Sequence, residues 1–178
     1  TWINRDRFIM SAGHGSALLY SVLHFAGFNI SIDDLKQFRK AGSKTPGHPE
    51  YGITPGVDMS TGPLGYGLAS AVGMALGQKI LSSKYVIPKK NAISLDSHMI
   101  DYKIYVLCSD GDLMEGISYE AASIAGNLKL NNLIVLYDSN NVTLDGSISK
   151  SFNENVLDRF KSLGWNAIEV KKGNSVQA

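Results

Sequence analysis

Cysteine, net charge and long apolar runs are all scarce in this chain of 178 residues. The single cysteine, Cys108, rules out an intrachain disulfide, and no signal peptide is visible, so we expect a cytoplasmic protein. A formal net charge of +1 gives no electrostatic basis for binding nucleic acid or an anionic membrane. No run approaches the roughly 18 apolar residues of a membrane span. We therefore expect neither a nucleic-acid nor a membrane partner.

The composition that is present is typical of a globular domain, with 44% hydrophobic and 19% charged residues. A chain of this length can cover a sheet on both faces. It opens at Thr1 without a methionine and stops at Ala178, shortly after a predicted strand. We therefore expect one domain over residues 1–178 that is incomplete at both ends and cut from a longer polypeptide.

Two apolar runs, Ile104–Cys108 and Leu133–Tyr137, predict buried strands, and Gly116–Leu130 between them predicts a helix. A strand–helix–strand unit of this kind places its two strands parallel and close together. A third parallel strand is predicted over Trp165–Val170. The fold class that follows is α/β, with a doubly wound, mainly parallel sheet flanked by helices.

Further helices are predicted over 17–25, 35–40, 66–81 and 154–163. In the third of these, Ala69, Ala71, Gly73, Ala75 and Gly77 would allow close packing on a sheet. The segment 42–63 carries four of the five prolines and predicts a long irregular stretch, which in a compact domain is usually functional or disordered. Residues 82–102 are polar and predict a surface connection.

Acidic turns follow the two predicted strands, with Asp110 after the first and Asn140 after the second. Open α/β sheets bind ligands at the edge where parallel strands end. Carboxylate and amide oxygens, with the backbone carbonyl of Val142 as a third ligand, suit a hard divalent cation that holds a diphosphate. The alternative from local pattern is that Asp110 caps a helix and Asn140 sits in a turn.

Four other features have both a ligand interpretation and an ordinary structural one. His14 lies between glycines at a helix start, which favours anions, and His48 lies between prolines that stiffen its backbone. Gly62–Gly65 is a turn before a helix and not a dinucleotide fingerprint, because no strand leads into it. Glu115 could be an ordinary first-turn acid that the helix dipole favours. From sequence alone, the ordinary interpretation as a surface or turn residue stays open for each of them.

Longer stretches carry a family resemblance. The segment from Ser109 to Asn141 resembles the thiamine-diphosphate motif, which begins Gly-Asp-Gly and ends with an asparagine further along the chain. That segment, with "INRDRFIMSAGHGSALLY", "KTPGHPEYGITPGVDMSTGPLGYGLASAVGMA" and "GSISKSFNENVLDRFKSLGW", is similar to transketolases, particularly bacterial ones. The resemblance covers almost the whole chain. One departure is Ser109, which replaces the first glycine of the motif and whose hydroxyl could donate to a phosphate oxygen.

The resemblance implies an enzyme that uses thiamine diphosphate to move a two-carbon ketol unit from a ketose phosphate to an aldose phosphate, in the pentose phosphate pathway. It implies that Asp110, Asn140 and the Val142 carbonyl hold Mg²⁺, or Ca²⁺. Backbone near the diphosphate would come from Ser109, Asp110 and Gly111. The pyrimidine ring would be seated by Gly62, Pro63 and Leu64.

The resemblance further implies that His14 and His48 are catalytic, since the matching histidines contact substrate and, for His14, cofactor phosphate. Glu115, which the resemblance also places among the cofactor-binding residues, would join a buried carboxylate network that crosses a homodimer interface toward the other active site. The family's catalytic glutamate belongs to a following domain, so we expect this piece alone to be inactive. Two alternatives stay open: another thiamine-diphosphate enzyme, such as deoxyxylulose-phosphate synthase or dihydroxyacetone synthase, and a non-catalytic cofactor-binding subunit.

Overall fold

A parallel sheet of three strands organises the fold. The computed structural model describes residues 2–85, 99–143 and 146–175. Within them the strands are β1 (Arg7–Met10), β2 (Ile104–Ser109) and β3 (Leu133–Asp138), in the order β1-β2-β3. Met10 pairs with Leu107, and Ser109 pairs with Asp138. The carboxyl ends of all three strands therefore lie along one edge of the sheet.

Helices connect the strands. In chain order they are α1 (Ser16–Phe25), α2 (Ile32–Lys36), α3 (Tyr66–Lys84), α4 (Asp110–Met114), α5 (Gly116–Asn127) and α6 (Val156–Ser162). Two short 3-10 turns cover Gly13–Gly15 and Ile148–Lys150, and the short strands β4 (Val142–Thr143) and β5 (Gly146–Ser147) form an antiparallel pair. In the ranges 2–85, 99–143 and 146–175, no helix is long and apolar enough to cross a membrane.

Both faces of the sheet carry apolar side chains, as the alternation along β2 requires. Ile104, Val106 and Cys108 are fully buried and belong to a cluster with residues of α3 and α5. On the other side, Phe8 and Leu107 pack against a second cluster that contains Met10, Leu19, Tyr20, Leu23, Ile30 and Val57. The predicted α/β class with helices flanking a parallel sheet is confirmed.

Small residues let α3 approach the sheet closely. Ala71 and Ala75 are fully buried, and a Cβ placed on Gly67 would lie only 2.4 Å from the Cα of Ser11. The first turn of α3 thus touches the backbone just beyond β1. The prediction that Gly73 and Gly77 also face the sheet is wrong, because a Cβ at either position meets open space.

The predicted third strand over Trp165–Val170 is wrong: the segment is irregular, and Ile168 and Val170 are exposed. A strand needs a neighbouring strand for its backbone hydrogen bonds, whereas the backbone N–H of Trp165 donates to the carbonyl of Phe160 in α6 at 3.1 Å. The indole N–H of Trp165 donates to the carbonyl of Ala122 at 2.9 Å. The helix predicted over 35–40 instead lies at Ile32–Lys36, because Ser31 caps it earlier. The predicted surface connection is helical as far as Lys84, and its residues 86–98 lie outside the described ranges.

Candidate functional site

Asp110 is the buried acid of the site. It begins α4 directly after β2, and only 1% of its surface is exposed. Its Oδ2 accepts the backbone N–H of Asn141 at 3.1 Å, and its Oδ1 accepts the phenol of Tyr137. Burial, together with this bond to the carboxylate, raises the pKa of the Tyr137 phenol above its usual range, so the phenol remains a donor. The carboxylate is therefore held against the turn that follows β3.

Asn140 lies on that turn and is exposed. Its Oδ1 accepts the N–H of Val142 at 2.9 Å, and its Nδ2 donates to Asp138 at 3.0 Å. Asn141 has φ of 60°, a left-handed conformation that asparagine tolerates, and its backbone N–H donates to Asp110. The buried carboxylate consequently contacts the residue next to Asn140.

The oxygens around this turn fit a hard cation. A carboxylate offers about four lone-pair positions and an amide oxygen two, so the bonds just described leave acceptor capacity on both Asp110 and Asn140. Val142, 60% exposed, follows Asn140 closely in sequence and adds a backbone carbonyl. Over the described part of the chain no three His, Cys, Asp or Glu side chains cluster as metal ligands. A metal here would depend on mixed oxygen donors, which Mg²⁺ and Ca²⁺ accept.

Two glycines bring the His14 turn and the Gly62 turn together. A Cβ on Gly13 would lie 3.0 Å from the backbone nitrogen of Gly62, so the two backbones are nearly in contact. The hydroxyl of Thr61 donates to the carbonyl of Met10 at 2.7 Å and ties the Gly62 turn to the end of β1. His14 is exposed on its 3-10 turn. Its turn therefore shares the sheet edge with Gly62.

His48 lies against the same glycine. Atoms of its ring are 3.6 Å from the position that a Cβ on Gly62 would occupy, and the residue is exposed. Two side chains of α1 hold the backbone of the segment that carries His48. Ser16 donates to the carbonyl of Gly47 at 2.8 Å, and the Tyr20 hydroxyl lies 3.0 Å from the carbonyl of His48. Burial raises the pKa of the Tyr20 phenol, which keeps it a donor. The structure thus brings the His48, Gly62 and His14 segments together.

The glycine turn also meets the acidic turn. A Cβ on Gly111 would lie 3.1 Å from Cδ1 of Leu64, so this leucine packs over the glycine that follows Asp110. Pro63 is exposed between Gly62 and Leu64. The hydroxyl of Ser109 donates to Asp112 at 3.2 Å within the protein, where the sequence suggested a phosphate oxygen as its acceptor.

Glu115 is exposed where α4 ends and α5 begins. A Cβ on Gly65 would lie 3.0 Å from the Cβ of Glu115, so the acid adjoins the turn that carries Gly62 and Leu64. Its carboxylate therefore lies at the surface of this single chain, next to the candidate site.

Sequence reasoning missed the role of Asp112. This carboxylate is fully buried and accepts hydrogen bonds from Ser11, Gly65 and Ser109. Part of the signal was present in the sequence, because Ser109 and Asp112 have the spacing of a capping box. The bonds to Ser11 and Gly65 are tertiary and leave no local pattern.

Comparisons with known proteins identify the family of this chain. A family model described as transketolase, thiamine diphosphate binding domain, matches residues 1–178. Curated transketolases from Geobacillus stearothermophilus and Bacillus subtilis are each 56% identical, over 176 and 177 residues, which is 99% of this chain and 25% of each relative. A solved transketolase from Pichia stipitis superposes with a TM-score of 0.86 at 49% identity, over 92% of this chain and 23% of that one.

The family model and the superposed fold identify the chain as a thiamine diphosphate-binding domain of the α/β class. The family model matches the whole chain and the curated relatives are 56% identical to it, so the chain belongs to the transketolase family. It spans about a quarter of the length of the curated relatives it matches.

Proposed function

We propose that residues 1–178 form the N-terminal diphosphate-binding domain, incomplete at both ends, of a transketolase. The complete enzyme transfers a two-carbon ketol unit from a ketose phosphate to an aldose phosphate in the pentose phosphate pathway, as a cytoplasmic homodimer. Thiamine diphosphate supplies the carbanion chemistry when bound. This chain supplies binding, orientation and proton transfer.

The metal that anchors the diphosphate is held, in this proposal, by Asp110, Asn140 and the Val142 carbonyl, and Mg²⁺ is the first choice with Ca²⁺ as the alternative. Ser109 and Gly111 place backbone beside the diphosphate. Gly62, Pro63 and Leu64 seat the pyrimidine, and the contact of Leu64 with Gly111 supports this because it puts the pyrimidine turn beside the diphosphate turn. Glu115, exposed beside Gly65, would join a carboxylate network with a partner subunit near the cofactor.

His14 and His48 are the proposed catalytic residues of this chain. Both are exposed on segments that adjoin Gly62, so their rings are available to a sugar phosphate at this edge. Histidine exchanges protons near neutral pH and donates hydrogen bonds to anionic oxygens. His14 would donate to phosphate, and His48 would exchange a proton with a substrate hydroxyl.

The observation that carries the proposal is the position of Asp110. A fully desolvated carboxylate is costly unless it is compensated. Here it lies at the carboxyl end of β2 and bonds the turn that bears Asn140. That is the edge where open α/β sheets bind ligands.

The test of function is a coupled assay of the complete polypeptide with xylulose 5-phosphate and ribose 5-phosphate, with thiamine diphosphate and Mg²⁺ present. We expect turnover by the complete protein and none by residues 1–178 alone. Turnover by residues 1–178 alone would contradict the proposal that catalysis also needs the rest of the polypeptide. Tight cofactor binding without turnover of these sugars would favour another thiamine-diphosphate enzyme or a non-catalytic subunit.

The metal assignment has its own test. In the complete protein, Asp110→Ala should weaken Mg²⁺-dependent binding of thiamine diphosphate by about tenfold or more, since it removes a charged ligand. Asp33→Ala is the matched control, because it removes the same charge from a side chain that is 89% exposed on α2. Calorimetry that finds the two variants alike would refute the assignment of Asp110.

A further inference from the structure

Asp112 lies behind the candidate site and has no place in the proposed chemistry. It is fully buried, and its Oδ1 accepts the hydroxyl of Ser11 at 2.7 Å and the backbone N–H of Gly65 at 2.8 Å. Its Oδ2 accepts the backbone N–H of Ser109 at 3.0 Å and the Ser109 hydroxyl at 3.2 Å. All four partners are donors, so a carboxylate is the group that this position requires.

The partners of Asp112 belong to segments that are far apart in sequence. Ser11 follows β1, Gly65 ends the turn that carries Gly62 and Leu64, and Ser109 ends β2 directly before Asp110. Ser11 extends the network, since its Oγ also accepts the N–H of Leu68 in the first turn of α3 at 3.1 Å. One side chain thus joins the ends of two strands to the start of a helix.

We propose that Asp112 is a positioning residue for cofactor binding. It holds the pyrimidine-side turn, which ends at Gly65, at a fixed distance from the diphosphate-side turn, which begins at Ser109, before the cofactor arrives. A preorganised site loses less free energy in ordering its segments, so its affinity is higher. The inference rests on the proposed function, because it assumes that thiamine diphosphate lies across these two turns.

Asp112→Asn tests this role with little change of volume. The amide has one acceptor oxygen where the carboxylate has two, and the backbone N–H groups of Gly65 and Ser109 each use a separate oxygen. In either orientation of the amide, one of these N–H groups would face an NH₂ donor. We therefore expect one of the two turns to lose its anchor.

The experiment measures binding and kinetics of the complete polypeptide with Mg²⁺ and thiamine diphosphate. Asp112→Asn should raise the dissociation constant of the cofactor by about tenfold or more, which is the scale of one lost buried hydrogen bond to a charged group. At saturating cofactor the kcat should stay close to that of the parent, because the residue touches neither cofactor nor substrate.

Gln78→Leu is the control for a general loss of stability. Gln78 is also buried, and it bonds the carbonyl of Ile100 and the amide of Asn132 at the opposite end of the sheet. This variant should lower the melting temperature and leave cofactor affinity unchanged. If both variants lower affinity alike, Asp112 has only a structural role and the proposal is overturned.

Two further outcomes separate this inference from the proposed function. A parent protein that does not bind thiamine diphosphate would refute the function itself, whereas normal binding by Asp112→Asn with loss in Asp110→Ala would refute only the positioning role. If Asp112→Asn fails to fold, amide hydrogen exchange of the cofactor-free parent tests the positioning role instead. The amides of Gly65 and Ser109 should exchange slowly, and rapid exchange of both would overturn the proposal.

Discussion

Gly67→Ala is the substitution whose effect follows most directly from the structure. A Cβ on Gly67 would lie 2.4 Å from the Cα of Ser11 and 2.6 Å from both its Cβ and its Oγ. The Cα and Cβ of Ser11 move only with the backbone, so no rotamer change of Ser11 relieves the contact. The first turn of α3 must therefore shift away from the end of β1.

Gly73→Ala, in the same helix, is the matched control, because a Cβ there meets open space. Gly73→Ala gains roughly 1 kcal/mol of helix propensity in the helix interior, and Gly67→Ala, in the first turn, gains no more than that. Only Gly67→Ala adds the overpacking cost, typically about 1–3 kcal/mol. The difference in unfolding free energy between the two variants should therefore be at least that cost, with Gly67→Ala the less stable.

Thermal unfolding followed by circular dichroism measures this difference. For a domain of this size, about 1 kcal/mol corresponds to roughly 2–4 °C, so Gly67→Ala should melt about 2–12 °C below Gly73→Ala. Ser11 also donates to Asp112, so the shift should weaken binding of thiamine diphosphate as well. Equal melting temperatures, or a more stable Gly67→Ala, would refute the close approach of α3 to β1.

Three further predictions concern Tyr137 and Cys108. Tyr137→Phe removes the donor to Asp110 and should weaken metal-dependent cofactor binding by about tenfold, whereas unchanged affinity would show that the bond is dispensable. Because the folded-state pKa of Tyr137 is raised, its contribution to stability relative to Tyr137→Phe should be constant below the ordinary value near 10 and decline above it; a decline already at neutral pH would contradict this. Cys108 is fully buried and burial raises the pKa of its thiol, so peptide mapping should find it alkylated by iodoacetamide only after unfolding, and labelling of the native chain would contradict its burial.

Much of the fold could be predicted because its signals are local. The runs that became β2 and β3 are apolar and close with polar turns, and the small residues of α3 indicate close packing. Trp165–Val170 has the same local character but is irregular, because strand formation depends on a neighbour that no local pattern specifies. Trp165 instead packs on Phe160, with ring centroids 5.3 Å apart, and donates to α5.

The candidate site divides in the same way. Asp110 and Asn140 each follow one of two parallel strands that end at the same edge of the sheet. The contact of Asp110 with the turn that carries Asn140 was therefore predictable. The bonds of Asp112 to Ser11 and Gly65 span 101 and 47 residues, and they exist only because three segments converge. The hydrogen bond from the Tyr137 phenol to Asp110 could not be predicted either, because Tyr137 belongs to an apolar run that indicates only a buried strand.

The proposed cation site consists of Asp110, Asn140 and the Val142 carbonyl, which together would bind the cation that anchors thiamine diphosphate. The most direct test is a crystal structure of the complete protein with thiamine diphosphate and Mg²⁺. We predict a metal ion at about 2.0–2.1 Å from one oxygen of each of the three residues, within an octahedral shell completed by diphosphate and water. A diphosphate bound elsewhere, or a metal that leaves Asp110 paired only with Tyr137 and Asn141, would contradict this cation site.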